Sequence, residues 1–399
     1  MDDLQLIANT AFGLEAITAR ELRDLGYEDT TIEDGRVRFR GDLAAICRAN
    51  LWLRSAERVQ IFVGEFPATD FGQLFDRTKA LPWEQWLDVE ASFPVIGRSV
   101  KSTLQSVPAC QRIVKKAIVE RMKKTSMRAW FAETGPERRI EVSLLRDRVT
   151  LSIDTTGAGL HKRGYRRLVG AAPLRETLAA SLILLSFWNR DRLLVDPFCG
   201  TGTIAIEAAQ IARNLAPGRN REFIAERWPQ IPTKLWNEAR REARELQKGP
   251  LALPIIGTDI DPSAIKLSRQ HAQEAGVRDD IHFEVRRFDE INGTRDYGVV
   301  ITNPPYGARL GTSEELKKLY SEMGELLLSF DTWSHYILTS FPLFERIFGK
   351  PADRRRKLYN GRIECTLYQY QGPRPPRDNE NDDESSASAS ETKPESHAD

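Results

Sequence analysis

The fold of this chain is indicated most clearly by one stretch of sequence, Leu194-Val195-Asp196-Pro197-Phe198-Cys199-Gly200-Thr201-Gly202-Thr203. Its apolar start predicts a buried strand, its two glycines predict a tight loop, and residues 204–213 after it have a helical pattern. Ligands of open α/β sheets bind at such strand–loop–helix junctions, beyond the carboxyl ends of the strands. The stretch therefore predicts a parallel sheet with a ligand site at the glycine loop.

The surrounding sequence extends this prediction to a doubly wound α/β domain over residues 158–371. Helices are expected at 204–213, 262–275 and 313–328, and residues 214–249 look like an insertion. Asn360-Gly361 lies between two alternating runs, 356–359 and 363–370, and predicts a type I′ hairpin at the end of the sheet. Strands of the sheet are predicted at 193–197, 254–260, 281–288, 297–302 and 335–339.

The first 157 residues predict two smaller α+β units, 1–65 and 66–157. In the first, strands are expected at 4–8, 37–40 and 59–63, with helices at 16–25 and 42–53. In the second, a helix at 71–87, a strand at 93–100 and a basic helix at 108–124 precede a hairpin. The strands of that hairpin are expected at 139–145 and 148–153.

Composition favours a soluble, cytoplasmic protein of two or three domains. The chain has 399 residues, no long apolar segment and a start without the features of a secretory signal. Its four cysteines are scattered without metal-ligand spacing, so we expect neither a metal site nor disulfides. Residues 378–399 contain eight acids and one lysine, a net charge of −7 in a chain of net +1, so the rest carries about +8. We expect residues 372–399 to be a disordered acidic tail.

Three acidic residues at predicted strand ends favour S-adenosylmethionine as the ligand. Asp196 would repel a pyrophosphate but attract the sulfonium and ammonium groups of this cofactor. Asp259 is placed to accept hydrogen bonds from ribose hydroxyls, and Asp289 from an adenine amine. Gly200, Gly202 and Ala205 also fit a dinucleotide pattern, but Asp259 is too far along the chain for that fold. Helix capping is the alternative role for Asp196 and for Asp259.

A second loop, Asn303-Pro304-Pro305-Tyr306-Gly307, follows the predicted strand at 297–302 and suits amine chemistry. The prolines fix the backbone, which leaves the Asn303 side-chain oxygen and the Pro304 carbonyl as rigid acceptors for an NH₂ group. Tyr306 is expected to offer a ring face for a flipped base. The loop has no cysteine nucleophile, so methylation of an exocyclic amine is favoured over methylation of ring carbon. A rigid turn ending a strand is the structural alternative.

These loops, together with the segment 160–166 and Ala172-Pro173-Leu174-Arg175-Glu176-Thr177-Leu178-Ala179, resemble THUMP-domain class I RNA methyltransferases. The resemblance covers residues 1–371 and is greatest to bacterial 23S ribosomal RNA guanine-N2 methyltransferases. It implies a ferredoxin-like region at 1–65, an RNA-gripping THUMP domain at 66–157 and a Rossmann-like methyltransferase domain. It also implies that Asn303, Pro304, Pro305 and Tyr306 hold the target guanine. The implied cofactor-binding residues are Asp196, Pro197, Cys199, Gly200, Thr201, Gly202, Thr203, Asp259, Ile260 and Asp289.

RNA contacts are expected on the basic helix and on the basic segment 161–167. The predicted RNA-binding residues are Lys101, Arg112, Lys115, Lys116, Lys162, Arg163, Tyr165 and Arg166. A solvated basic face is the alternative for the helix. Some family members carry a second methyltransferase domain, and the modification made by that domain is expected to be absent here.

Three other functions remain open at this point. Transfer RNA guanine-N2 methylation uses the same chemistry, and DNA adenine-N6 methylation shares the Asn-Pro-Pro-Tyr logic. A noncatalytic RNA-binding or ribosome-assembly factor is the alternative from another class. The acids at the strand ends and Asn303 favour an enzyme.

Overall fold

A computed structural model of the protein describes residues 3–127, 131–166, 174–293, 295–306 and 313–376. Among the residues singled out above, Arg167, Ala172, Pro173 and Gly307 lie outside these ranges, as does the acidic tail from 377 onward. The described chain forms two seven-stranded sheets with helices packed on them. None of the described helices has the length and apolar character needed to cross a bilayer.

The elements of the first half of the chain are β1 Leu4–Thr10, α1 Glu15–Asp24, β2 Thr30–Glu33, β3 Arg36–Gly41, α2 Leu43–Trp52, β4 Ala56–Pro67, α3 Phe71–Ala80, β5 Val95–Val100, α4 Val107–Ser126, β6 Ile140–Leu145 and β7 Arg148–Asp154. Its strands form the first sheet in the order β2-β3-β1-β4-β7-β6-β5, and only the β5–β6 pair is parallel. Asp42 and Asp70 cap α2 and α3 by accepting hydrogen bonds from Ala45 N–H and Gln73 N–H at 2.9 and 2.8 Å.

Strand β4 joins the two predicted small units into one body. It pairs with β1 on one side and with β7 on the other, so the predicted boundary between residues 65 and 66 falls inside a strand. Side chains from both units also share one apolar core. The predicted helix at 71–87 is wrong at its end: α3 stops at Ala80, before Pro82, and a short 3₁₀ turn follows.

The elements of the second half of the chain are α5 Glu176–Leu185, β8 Leu194–Asp196, α6 Thr203–Ala212, α7 Thr233–Glu245, β9 Ile255–Asp259, α8 Pro262–Glu274, β10 Ile281–Val285, β11 Val299–Thr302, α9 Ser313–Leu327, β12 Ser334–Thr339, α10 Phe344–Phe348, β13 Arg354–Asn360 and β14 Ile363–Tyr370. Its strands form the second sheet in the order β10-β9-β8-β11-β12-β14-β13. The first five strands in this order are parallel, and β14 and β13 complete the sheet as an antiparallel pair, which confirms the predicted fold class.

Strand β8 lies between β9 and β11, so the chain reverses its winding direction there. The crevice at such a switch point, beyond the carboxyl ends of the strands, is where open α/β sheets bind ligands. The two sequence loops singled out above follow β8 and β11. The fold therefore brings them together at one edge of the sheet.

The insertion at 214–249 attaches the half of the chain that forms the second sheet to the first half. Its side chains Phe223, Trp228 and Trp236 are buried in the core of the first half rather than in that of the second sheet. The Trp228 indole N–H donates to the Glu137 carbonyl at 2.9 Å, and Glu242 on α7 pairs with Arg48 on α2 at 2.8 Å. The insertion thus fixes the first sheet relative to the second.

Candidate functional site

The glycine loop after β8 is held by close packing. Gly200 and Gly202 have φ values of +50° and +82°, in the left-handed region that favours glycine. A Cβ atom on Gly202 would lie 2.7 Å from the Phe283 ring, whereas one on Gly200 would meet no atom within 4 Å. Gly202 therefore fits the loop tightly against the sheet, and Gly200 borders open space.

Asp196 ends β8 and is buried beneath this loop. Its Oδ1 accepts hydrogen bonds from the Thr302 hydroxyl at 2.8 Å and from Phe198 N–H at 3.3 Å. Burial raises the pKa of Asp196 to about 7, although the bond from Thr302 opposes the shift. The carboxyl group is therefore poised between its neutral and charged forms near neutral pH.

Asp259 ends β9 and faces the same loop. Its two oxygens accept hydrogen bonds from Gly200 N–H at 2.9 Å and from Asp261 N–H at 3.0 Å. The cap of α8 is Asp261, which bonds Ser263 N–H at 2.8 Å. The alternative role of Asp259 as a helix cap is therefore filled by its neighbour.

The Asn303 loop emerges from β11 beside these acids. Asn303 Oδ1 is buried and has no hydrogen-bond partner in the described part of the chain. A buried amide oxygen without a partner costs about 1–3 kcal/mol, so its retention calls for a ligand that donates to it. Behind it the Pro305 carbonyl accepts a hydrogen bond from the Tyr320 hydroxyl at 2.8 Å, which anchors the loop to α9.

A cleft of about 490 Å³ connects the ends of β8, β9 and β11. Six of the sequence-predicted site residues border it: Pro197, Gly200, Asp259, Ile260, Asn303 and Pro305. Of these, Ile260 is the most exposed apolar side chain. Sequence reasoning missed Phe198, Arg287, Phe288, Glu315, Lys318, Leu319 and Glu322, which also line the cleft. The amphipathic pattern of α9 was the available signal for the last four.

Other predicted cofactor residues support the loop from below. Cys199, Gly202 and Thr203 are buried, and Thr201 is half-buried. Cys199 N–H donates to the Thr258 carbonyl at 2.9 Å, and burial raises the pKa of its thiol, which therefore stays protonated. The structure gives these side chains a packing role.

The predicted contact of Asp289 with an adenine amine stays a prediction. Asp289 does not border the cleft, and its carboxylate pairs with Arg287 at 2.9 Å, which lowers its pKa. The neighbouring Arg287 and Phe288 border the cleft instead. The strand predicted to reach residue 288 ends at Val285, so a short 3₁₀ turn reorients the residues that follow.

Tyr306 does not offer its ring face to a base as predicted, because the ring is buried in the core of the second sheet and the residue is 4% exposed. Its hydroxyl accepts a hydrogen bond from Asn360 Nδ2 at 3.2 Å. Tyr306 therefore ties the Asn303 loop to the terminal hairpin. Pro304 is buried as well.

Half of the predicted RNA-binding residues are exposed and half are not. The exposed ones are Lys101, Arg112, Lys116 and Lys162. Lys115 is half-buried and occupied, since its ammonium lies 2.6 Å from Glu133 and 3.6 Å from the centre of the Phe93 ring.

Arg163 and Tyr165 are corrected from RNA contacts to structural groups. They are 3% and 2% exposed, and both contact the buried Glu207, at 3.4 Å from the guanidinium and 3.1 Å from the hydroxyl. Arg166 is mostly buried too and pairs with Glu176 at 3.1 Å. The charges of the two arginines are paired inside the protein and the Tyr165 hydroxyl is buried, so these groups cannot face a phosphate in this conformation.

No group of three or more His, Cys, Asp or Glu side chains in the described ranges is arranged to hold a metal ion. The site combines the buried Asp196, the half-buried Asp259, backbone amides, an amide oxygen with no partner among the described residues, and an open cleft. This set suits an organic ligand that carries positive charge and N–H or O–H donors.

Family models match the chain in three segments. A model described as an RMKL-like methyltransferase domain matches residues 163–369, which is just over half of the chain. An RlmL ferredoxin-like domain matches residues 5–60, and a THUMP domain matches residues 68–154.

Two relatives show how the likeness extends. A putative RNA methyltransferase, YpsC of Bacillus subtilis, is 49% identical over 372 residues, which are 93% of this chain and 96% of the relative. The ribosomal RNA large subunit methyltransferase K/L of Syntrophotalea carbinolica is 35% identical over 380 residues, or 92% of this chain. The chain spans only 53% of that enzyme's length.

Two solved structures share the whole architecture. A structure described as a predicted N6-adenine-specific DNA methylase from Listeria monocytogenes has a TM-score of 0.88 and 53% identity, covering 93% of this chain and 97% of that one. SMU.472, described as a putative methyltransferase complexed with SAH, has a TM-score of 0.89 and 44% identity, covering 94% and 100%.

Proposed function

The chain belongs to the RMKL-like methyltransferase family with an RlmL ferredoxin-like and a THUMP domain, and from this membership we propose a specific reaction. The protein transfers a methyl group from S-adenosylmethionine to the exocyclic N2 amine of a guanine in large-subunit ribosomal RNA. The observation that carries the proposal is Asn303 Oδ1, a buried acceptor that has no partner among the described residues and lies beside a cleft bordered by the strand-end acid Asp259.

The residues present fit the proposed cofactor. S-adenosylmethionine supplies a methyl group on a sulfonium centre when it is bound. Gly200 leaves open space in the cleft, Ile260 and Phe288 add apolar surface, and Asp259 presents a carboxylate that can accept hydrogen bonds from ribose hydroxyls in addition to its backbone bonds. Asp196 lies beneath, where its negative form favours a cation. We assign cofactor binding to these five residues and to Pro197.

Asn303 is the proposed catalytic residue. Its side-chain oxygen accepts an N–H of the guanine amine, and the rigid diproline backbone holds that acceptor in place. Fixing the amine hydrogens orients the nitrogen lone pair toward the methyl donor, and such positioning is the main contribution that this loop can make. Tyr306 acts as a positioning residue through its bond to Asn360.

RNA binding is assigned to four exposed basic residues. Arg112 and Lys116 lie on α4, Lys101 directly follows β5, and Lys162 lies at the start of the second half. Phosphate contacts of this kind are electrostatic and depend on ion release.

Replacing both Arg112 and Lys116 by alanine is expected to weaken binding of a large-subunit RNA transcript and to make it less sensitive to salt. Each lost phosphate contact lowers the slope of log affinity against log salt by about 1. Filter binding at several salt concentrations measures the slope. Lys234→Ala, at a side chain 82% exposed on α7, is the matched control and should leave the slope unchanged. An unchanged slope in the double variant would show that this basic face contacts solvent and not RNA.

The raised pKa of Asp196 predicts a pH-dependent cofactor affinity. With a pKa of about 7, the carboxyl group is mostly neutral at about pH 6 and mostly charged at about pH 8. Because only the charged form attracts the sulfonium, affinity for S-adenosylmethionine should rise by about tenfold over this range. Calorimetric titration measures it.

Two controls isolate this effect. S-adenosylhomocysteine lacks the sulfonium charge, so its affinity should change much less with pH. Asp196→Asn keeps the side-chain shape but cannot ionise, so the pH-dependent rise should disappear in this variant. A rise of the same size in Asp196→Asn would show that another group is responsible.

The substrate is tested by incubation with radiolabelled S-adenosylmethionine and separate pools of unmodified ribosomal RNA, transfer RNA and DNA. Label in large-subunit ribosomal RNA supports the proposal. Label in transfer RNA alone or in DNA alone would contradict the proposed ribosomal RNA substrate. If no methyl group is transferred to any of these pools or to a preribosomal particle, the result would favour an assembly factor.

A further inference from the structure

A groove of about 500 Å³ lies where the first half of the chain meets the terminal hairpin. We call it the Phe12 groove. It is separate from the cofactor cleft, and none of its residues was assigned a function above. Its walls and floor include Phe12, Glu57, Arg175, Thr177, Tyr359 and Gly361.

The wall of the groove presents aromatic rings to solvent. Phe12 is 54% exposed, and its ring centre lies 6.5 Å from that of Tyr359 with the planes at 84°. Lys357 Nζ lies 5.7 Å from the centre of the Tyr359 ring, so a cation is held near that ring. Phe12 is the more accessible surface for stacking.

The loop that carries Phe12 is fixed in place. The Arg356 guanidinium donates to the Gly13 carbonyl at 3.0 Å, and Gly13 N–H donates to Glu15 at 2.9 Å. A Cβ atom on Gly13 would lie 2.7 Å from the Lys357 carbonyl oxygen, so the loop and β13 are in close contact. The exposed ring therefore stands on rigid backbone and loses little entropy when it binds a partner.

The floor of the groove is polar and close to neutral. Glu57 accepts a hydrogen bond from the Thr177 hydroxyl at 2.7 Å and lies 3.0 Å from His161 Nδ1 and 3.7 Å from Arg175. The Arg175 side chain is 49% exposed and has donors left for a ligand. An aromatic wall beside a paired floor suits a nucleobase better than an isolated phosphate.

The groove adjoins the proposed catalytic loop. Asn360, whose neighbours Tyr359 and Gly361 line the groove, donates to the Tyr306 hydroxyl at 3.2 Å. The hairpin turn also lies at the same edge of the sheet as Asn303, because β14 starts there antiparallel to β12. An RNA strand that delivers a base to Asn303 therefore passes within reach of the groove.

We propose that the Phe12 groove binds an unpaired base of the RNA strand next to the target nucleotide, with Phe12 as the stacking surface and Arg175 as a hydrogen-bond donor. Aromatic side chains recognise unpaired RNA bases by stacking on them. The inference rests on the proposed function. It adds to that proposal a site that selects RNA with an accessible, unstacked neighbour beside the target.

The test compares two phenylalanines of equal exposure. Phe12→Ala should weaken binding of an unmodified large-subunit ribosomal RNA transcript by about 5- to 150-fold, which corresponds to the loss of one stacked base. Phe187→Ala is the matched control: Phe187 is 55% exposed and lies beyond the far end of α5, about 15 Å along the helix from Arg175. It should bind the transcript like the wild type, and Phe12→Trp should retain the affinity.

Two readouts separate this inference from the proposed function. The RNA affinity of Phe12→Ala, compared with that of Phe187→Ala, tests the groove proposal whether or not methyl transfer occurs. Methyl transfer by the wild-type protein to the same transcript tests the proposed function. Where transfer is seen, Phe12→Ala should raise KM for RNA with little change in kcat, and S-adenosylhomocysteine affinity should be unchanged. Equal RNA affinities of the two alanine variants would overturn the groove proposal.

Discussion

Replacing Asn303 by alanine is expected to slow methyl transfer by about 100- to 1,000-fold while cofactor and RNA affinities stay near those of the wild type. The reason is the position of its Oδ1, which is buried just after β11, has no partner among the described residues and is therefore available to the substrate amine. The variant removes this acceptor and leaves the diproline backbone intact. Single-turnover rates with saturating RNA and S-adenosylmethionine measure the effect.

Asn237→Ala provides the control for this variant. Asn237 is exposed on α7, within the insertion that packs against the first half of the chain. Its replacement should not change the rate. Full activity of Asn303→Ala would show that the loop has a structural role only, and a large loss of cofactor affinity would show that Asn303 belongs to the cofactor site instead.

Replacing Arg163 by methionine is expected to lower the free energy of unfolding by about 3–5 kcal/mol, since removing one partner leaves a buried charge uncompensated. The Arg163 side chain is 2% exposed and that of Glu207 is fully buried. The guanidinium also donates to the Leu160 and Arg54 carbonyls at 2.8 and 2.7 Å. Denaturant unfolding of wild type and variant measures the difference.

Lys162→Met is the neighbouring control, because Lys162 is exposed and should contribute little to stability. The double variant Arg163→Met with Glu207→Gln should recover part of the loss by removing the uncompensated carboxylate. A stable Arg163→Met protein with weakened RNA binding would restore the original interpretation of this arginine as an RNA contact.

The site was predictable where a residue's function depends on its place at the end of a strand. The strand ends Asp196, Asp259 and Asn303 could be placed because parallel strands bring their carboxyl ends to one edge of the sheet. The structure does bring these three residues to one cleft or directly beneath it. Local sequence was sufficient for this part because each residue directly follows its own strand.

Prediction was less successful where the environment of a residue is set by distant parts of the chain. The charge of the basic segment around Arg163 predicts an RNA contact, whereas the buried partner of Arg163, Glu207, lies 44 residues further along the chain. Tyr306 is covered for a similar reason, through its contact with Asn360 on the hairpin. Charge and aromaticity alone do not reveal burial when the partner is remote in sequence.

The organisation of the first half was also set by long-range pairing. The unpredicted strand β2 is half exposed and lacks a clear apolar alternation, so its sequence gives a weak signal. The first sheet is continuous because β4 pairs with both β1 and β7, and no local sequence pattern predicts these two pairings. Likewise, only the folded chain shows that the insertion at 214–249 packs on the first core.

The most direct test of the central claim is the chemical identity of the product nucleoside. Large-subunit ribosomal RNA methylated by the protein with labelled S-adenosylmethionine would be digested to nucleosides and analysed by mass spectrometry. Our account predicts that the label appears in N2-methylguanosine. Label in a ribose-methylated nucleoside, in a ring-methylated base or in N6-methyladenosine would contradict it.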